Sequence, residues 1–251
     1  MHLSDVSWTD AGAAGTDLAV LPVGSTEQHG PHAPLGTDAL AAAAVAERGV
    51  DGYNGPAVVA PTVPVGVAEE HRHFAGTLWV REDTFRAYVR ETIASLAAHG
   101  WDRVVVVNGH GGNVAPLREA CARLSRDETA YAVPFTWFDA VDSGDVPALD
   151  PGVGMGHGGP LETSVVRALD PDLVDADRLE EAREGAADGW GEWQSGTNLA
   201  YDSAEFTASG VVGDPTVSSA EAGEQLLEAA GGELADLLET VAARDVPHSE
   251  G

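Results

Sequence analysis

A chain of 251 residues, 43% of them hydrophobic, is long enough to bury a full core and suits one domain better than two. It carries 41 acidic and 13 basic residues, a formal net charge of −28, and every basic residue is Arg. Such an excess argues against nucleic acid or anionic membrane as a partner. The choice left is between an acidic surface for cationic partners and a solvated coat suited to molar salt. In molar salt the Debye length is ~3 Å and self-repulsion is screened. The acidic residues are spread along the chain, which favours the coat and a halophile's cytosol. The single cysteine, Cys121, excludes an internal disulfide and reads as a packed thiol. There is no signal-peptide pattern at the start and no apolar run near the ~20 residues needed to span a bilayer, so a cytoplasmic protein is expected.

In chain order, residues 18–23 read as a buried strand, 37–48 as an Ala-rich helix capped by Thr37, and 57–65 as strand and loop. Residues 81–99 read as an amphipathic helix with Phe85, Tyr88, Val89, Ile93 and Leu96 near one stripe, ended by Gly100. A strand over 104–107, a helix over 113–126 and a strand over 130–135 follow. Residues 139–156 are too rich in Gly, Pro and Asp for regular structure. Residues 188–209 place Trp190, Trp193, Tyr201 and Phe206 among Gly and Ser, which suits either an active-site cover or loop aromatics packed on the core. A helix over 220–242, interrupted at Gly231-Gly232, closes the chain. Alternation of strands and helices implies an α/β fold, three layers deep, with a mostly parallel sheet. The expected domain is a single unit with its core at about 18–240 and short tails.

The chemistry gathers where these strands end. After the first strand come Glu27 and His29, two residues apart and so facing the same way if extended, with Asp38 returning across a Gly- and Pro-rich turn. Carboxylate, imidazole and carboxylate form a hydrolytic metal set. His110 follows the third strand within Asn108-Gly109-His110-Gly111-Gly112-Asn113, and His157 precedes Glu162 at the opening of another helical stretch. Taken singly, each would be a turn residue capping backbone groups; convergence from separate segments is what a metal requires. Gly154 to Gly159 fits Gly-x-Gly-x-x-Gly but follows Asp150-Pro151 rather than a strand, so it is no dinucleotide fingerprint. The Asn108–Asn113 loop could cradle phosphate only through its amides, since no Lys follows. His71 and His73 alternate, and spacing does not choose between them. His2, His99 and His248 read as surface or helix-end residues, and Arg72 as a salt-bridge partner.

Together, Gly24-Ser25-Thr26-Glu27-Gln28-His29-Gly30, Asn108–Asn113, His157-Gly158-Gly159-Pro160-Leu161-Glu162-Thr163-Ser164 and Glu70-His71-Arg72-His73-Phe74-Ala75-Gly76-Thr77, in their order, resemble the creatininase family. The resemblance runs from about residue 18 to 238. It implies a metal-dependent amidohydrolase with two divalent ions, Zn, Mn or Fe, acting on a non-peptide amide or other C–N bond of a small molecule. Asp38 would bridge the ions, Glu27 and His110 would hold one and His29 the other. An activated water would attack a carbonyl carbon, with His157 as general acid and Glu162 as a catalytic group. His32, His71, Asn108 and Asn113 would touch substrate or support the ligands. Creatininase itself has a glutamate where this chain has Gly112, a departure that leaves the second ion short or hands the ligand role to Glu162. The implied substrates are a cyclic amide such as creatinine, a formylated ribosylaminopyrimidine phosphate, or a mycofactocin precursor peptide. The implied assembly is a homohexamer. Outside enzymes, a metal-stabilised binding or scaffold protein is the alternative.

Overall fold

The strands expected to be buried on both faces form the centre of the molecule. In the computed structural model, which describes residues 1–150 and 152–245, a short helix α1 (Trp8–Ala11) precedes β1 (Leu18–Val23), and all six residues of β1 are buried. Next come α2 (Thr37–Gly52), β2 (Val58–Val59), α3 (Glu82–Ala98), β3 (Arg103–Asn108), α4 (Val114–Arg126) and β4 (Tyr131–Thr136). Then follow α5 (Pro160–Leu169), α6 (Leu179–Glu184), a hairpin of β5 (Trp193–Gln194) and β6 (Thr197–Asn198), and α7 (Ala220–Ala243). The main sheet is parallel throughout, in the order β2-β1-β3-β4.

The pleat sorts the side chains into two cores. Leu18, Val20, Val105 and Val107 pack on the α2, α5 and α7 side with Val45, Val165, Leu226 and Leu234. Ala19, Leu21, Val104 and Val106 face α3 and α4, meeting Phe85, Val89, Ile93 and Leu117. Continuous apolar strands covered by helices on both faces are the expected pattern for parallel sheets. Each fully buried side chain of this size contributes about 1.5–3 kcal/mol relative to exposure.

Three expectations need correction. Helix α7 runs unbroken through Gly231-Gly232, because Gly231 is a packing residue: a Cβ there would lie 2.6 Å from the Arg48 Cβ of α2. Thr37 is inside α2 rather than its cap; Gly36 takes the N-cap position, and the Thr37 hydroxyl donates to the Pro34 carbonyl at 2.8 Å. Tyr88 leaves the α3 stripe and is 56% exposed, since residue 88 falls off the face shared by Phe85, Val89 and Ile93. The 57–65 stretch is strand and loop as expected, with Val58 and Val59 as the strand. Among the described residues of 139–156, the regular pieces are the end of the 3-10 turn Trp137–Asp139 and a second 3-10 turn at Ser143–Asp145.

The register sets the site. Val23 pairs with Asn108 and Asn108 with Thr136, so β1, β3 and β4 end level with one another. The loops after β1 and β3 therefore open on the same edge, where ligands bind in open α/β sheets.

Candidate metal centre

Glu27 and His29 come from the loop after β1, Asp38 from the first turn of α2, and His110 from the residues after β3. His157 and Glu162 come from the entry to α5, and His71 from a 3-10 turn, Glu69–His71. All seven are buried, though they are among the most polar residues of the chain. Asp38 is the hub. Its Oδ1 lies 3.0 Å from His29 Nε2 and its Oδ2 3.3 Å from His110 Nδ1. Glu27 Oε1 is 3.1 Å from His110 Nδ1, 3.6 Å from His71 Nε2 and 3.7 Å from His157 Nδ1. Glu162 Oε1 is 3.6 Å from His29 Nε2, while Glu162 Oε2 accepts from Gly158 N at 2.6 Å. The sequence-predicted set is thus brought together, and His71 joins it.

These atoms approach one another without hydrogen-bonding. Both Glu27 oxygens, His29 Nε2, Asp38 Oδ2 and His71 Nε2 are buried with no hydrogen-bond partner. Such atoms cost free energy unless something satisfies them. A divalent cation fits. Three triads have one ligand atom each within 4.8 Å of one another: Glu27, Asp38 and His110; His29, His157 and Glu162; and Glu27, His71 and His157.

The supporting bonds set which ring nitrogen faces inward. His29 donates Nδ1–H to the Glu27 carbonyl at 3.2 Å, His110 donates Nε2–H to the Val67 carbonyl at 2.5 Å, and His157 donates Nε2–H to the Gln28 carbonyl at 2.6 Å. A carbonyl only accepts, so each ring in its neutral form turns a lone pair inward, the usual preparation of a metal-ligating histidine. Asn108 and Asn113 are used in the scaffold, which answers the phosphate-cradle reading. Asn108 grips both the N–H and the carbonyl of His110, at 3.1 and 2.8 Å. Asn113 ties Val67 N to the Gly24 carbonyl, both at 3.0 Å. His32 Nε2 lies 2.9 Å from the Thr163 hydroxyl, beside Glu162 but outside the cluster.

Charge follows the same geometry. Burial opposes protonation of His29 and His110, but the Asp38, Glu27 and Glu162 carboxylates outweigh it and raise both well above the ordinary imidazole range. Burial pushes Glu27 up to about 7, with His110 opposing. Burial also works against the Asp38 charge, yet His29 and His110 hold its carboxyl far below the usual range. A bound cation takes the place of those protons. Burial and the neighbouring imidazoles instead lower His71 to about 3 and hold His157 well below the normal value. His32 is lowered to about 4, mainly by burial.

Above the imidazoles opens a cavity of about 580 Å³, lined by Glu70, Phe138, Met155, Asp188, Trp190 and Val212 among others. Trp190 meets the rings of His71 and His157 edge-on, at 5.6 and 5.9 Å, and Phe206 at 5.3 Å. Trp193 and Tyr201 face outward, 63% and 83% exposed, so the cover is made by only part of the 188–209 segment. Arg72 does pair with a carboxylate, Asp202, at 2.6 Å, and His73 Nε2 lies 3.2 Å from the same oxygen. Two participants were passed over in the sequence. Glu70, whose signal was only its place beside His71, reaches the cavity next to Gly112; the Gln28 carbonyl accepts from His157, and its side-chain amide lies 2.9 Å from His71 Nδ1. His248 lies outside the described residues.

The creatininase family model, described as creatinine amidohydrolase, matches residues 4–238. The chain belongs to the creatininase family. A mycofactocin precursor peptide peptidase of Mycolicibacterium smegmatis is 37% identical over 215 residues, 83% of this chain and 79% of that protein. The creatinine amidohydrolase of Pseudomonas putida is 32% identical over 243 residues, 90% of each chain. A solved structure described as creatininase Mn superposes with a TM-score of 0.80 at 28% identity, covering 97% of this chain and 99% of that one. The chain is therefore a metal-dependent hydrolase of the creatininase type rather than a binding scaffold, and its buried carboxylates and imidazoles suit a divalent metal. None of its described helices is long and apolar enough to cross a membrane.

Proposed function

We propose that this creatininase-family hydrolase cleaves an amide bond in a peptide-type substrate. The observation that carries this is the cavity: about 580 Å³, with Phe138, Met155, Trp190 and Val212 as apolar walls and Glu70, Glu162 and Asp188 as its acidic groups. Sites of some 300–1,000 Å³ take ligands well above the size of a small cyclic amide. No Arg lines the cavity among the described residues, and the chain has no Lys, so a ribosylaminopyrimidine phosphate would find carboxylates where it needs cations. The relative named mycofactocin precursor peptide peptidase supports the same reading. Creatinine is the second reading, favoured by the family model's description.

In this proposal the chain holds two divalent ions of Zn, Mn or Fe. Asp38, Glu27 and His110 would hold one of them, and His29 and Glu162 the other. Such ions, when bound, act as Lewis acids and lower the pKa of water. The remaining steps belong to the protein. His157 donates its Nε2–H to the Gln28 carbonyl in a hydrogen bond, so the lone pair on Nδ1 serves first as base, taking a proton as the water oxygen bonds to the carbonyl carbon. The same nitrogen then returns that proton to the leaving nitrogen as the C–N bond breaks, giving a carboxylic acid and an amine, which part as carboxylate and ammonium. This places the general-acid role expected of His157 second in sequence. Trp190 keeps bulk water from the imidazoles. We further propose a homo-oligomer of hexameric type, in a salt-rich cytoplasm, built on one catalytic unit with its core at about 18–240.

The test is product analysis in molar salt with metal-loaded protein, offering short peptides, creatinine and a formamidopyrimidine nucleotide in parallel. Amine release from peptides is expected to be fastest. Preferential formation of creatine or formate would overturn the peptide assignment, and release from none of the three would overturn the hydrolase mechanism.

A further inference from the structure

The catalytic cavity has a neighbour. A second cavity of about 440 Å³, within the size range of ligand sites, opens beside it, and Phe138 and Met155 border both. Those two residues form the ridge between them. Beyond the ridge the second cavity is apolar at Val141, Val153 and Leu161 and acidic at Asp139 and Asp142. No Arg lines it among the described residues, and the chain has no Lys. The backbone at the boundary is kept low. Val153 borders the second cavity, Gly154 the first and Met155 both. Gly156, nearby, is a glycine for folding reasons: its φ is +62°, and a Cβ there would strike the Val212 carbonyl oxygen. Gly154 has no such reason, since its φ lies outside the left-handed region and a Cβ there would meet nothing within 4 Å. A glycine that neither packing nor backbone demands, placed where two cavities meet, leaves the passage between them open.

Charge decides which part of a substrate the second cavity suits. Asp142 Oδ1 accepts from Gly144 N at 2.8 Å, which leaves its Oδ2 available. Asp139 Oδ2 faces Arg118 at 3.7 Å, too far for a hydrogen bond. A short leaving segment would bring its terminal carboxylate to these two carboxylates and be repelled. The acyl side of a peptide begins instead with an ammonium, which they attract. In molar salt, where the Debye length is ~3 Å, only such contact pairs discriminate. We propose that the second cavity binds the amino-terminal part of a peptide substrate, which crosses the ridge of Phe138 and Met155, sets an apolar side chain against Val153 and Leu161, and turns its ammonium toward Asp139 and Asp142. The inference rests on the peptide reading of the catalytic cavity and states how that peptide lies.

The test compares, in molar salt, metal-loaded protein acting on peptides that share one scissile bond and differ in length on the amino side. Adding two residues that include a leucine should raise kcat/KM about 10- to 100-fold, the worth of burying one such side chain. Val153→Trp, which fills the second cavity, should remove that gain, read as the ratio of the long peptide to the short one. Replacing both Asp139 and Asp142 by Asn should cost the extended peptide about 2- to 5-fold, the scale of an exposed ion pair, and acetylating its amino terminus should cost the wild type about as much. Where Val153→Trp fails to fold, the Asn pair and the acetylated peptide give the reading. Equal kcat/KM at both lengths, or a gain only from extension on the carboxyl side, would overturn the proposal. Binding separates this result from the substrate assignment. A peptide with CH₂ in place of the scissile nitrogen has no C–N bond to cleave, and its Kd should fall on extension and rise again in Val153→Trp. That pattern, with no cleavage of the parent peptides, would leave the subsite standing while removing the peptidase reading. Cleavage with the same Kd at both lengths would remove the subsite and leave the peptidase reading intact.

Discussion

Gly112 offers the most direct test of how the centre is supported. It sits in the 3-10 turn Gly111–Asn113, and a Cβ there would collide with the Val67 carbonyl oxygen and come within 2.5 Å of His110 Nε2 and 3.0 Å of Glu70 Oε1. The first two atoms are the partners of the 2.5 Å hydrogen bond that aims His110 Nδ1 at Glu27 and Asp38. Val67 cannot easily retreat, because its N–H is held by Asn113 Oδ1 at 3.0 Å. Gly112→Ala should therefore cost about 1–3 kcal/mol of stability as an overpacked site. For a chain of this length that is roughly 2–12 °C in Tm. Tilting His110 should also weaken metal affinity about 10- to 100-fold, as loss of an orienting bond does. Calorimetry of the metal-free protein and competition with a chelator measure the two effects separately. Gly112→Glu should behave no better, since its carboxylate cannot ligate until the same Cβ clash is relieved. Unchanged Tm and metal affinity in Gly112→Ala, or tighter binding in Gly112→Glu, would refute this reasoning.

Asp38→Ala should remove nearly all bound metal and activity, because no other side chain faces both His29 and His110; wild-type metal content would sink its assignment. Glu162→Gln can keep the bond to Gly158 N through its remaining oxygen but turns an N–H₂ toward His29, so one metal equivalent should be lost with α5 intact, as read by metal analysis and circular dichroism. Transfer from molar to tenth-molar salt lengthens the Debye distance from ~3 to ~10 Å and should lower Tm steeply for a chain of −28 formal charge; a flat profile would dismiss the halophilic reading. Cys121 is 1% exposed, and burial pushes its thiol up to about 12, so a thiol-directed reagent should label it only as the chain unfolds.

The sheet was legible because its strands are apolar on both faces. The run Val104 to Val107 has no polar face to leave in solvent, so only a central parallel position suits it. The ends of the elements were less so. Thr37 was read as a cap from its residue type, but its hydroxyl found a nearer acceptor in Pro34, and the bare backbone of Gly36 took the position. Gly231-Gly232 was read as a break on local propensity alone, yet the contact that decides it is with Arg48, far away in sequence. Propensity describes an isolated helix; α7 is held by packing against α2 and α5, which can outweigh the ~1 kcal/mol cost of a helical glycine.

The centre shows the same division one level further in. Clustering at strand ends and the family motifs pointed to Glu27, His29, Asp38 and His110, and their common burial fits that reading, because buried carboxylates and imidazoles need partners. Residue type could not say what each imidazole does, since all four have the same side chain. Their roles depend on what stands behind the ring. A backbone carbonyl behind His29, His110 and His157 turns a lone pair inward, while His71 has side chains behind it, the Gln28 amide and the Ser203 hydroxyl. Gln28 lies between the two predicted ligands Glu27 and His29, but its meaning comes from Gly30, Gly210 and His71, brought together only by the fold. Donor and acceptor polarity at this centre is thus a tertiary property, and substitutions of the supporting residues should change the reaction without touching a ligand.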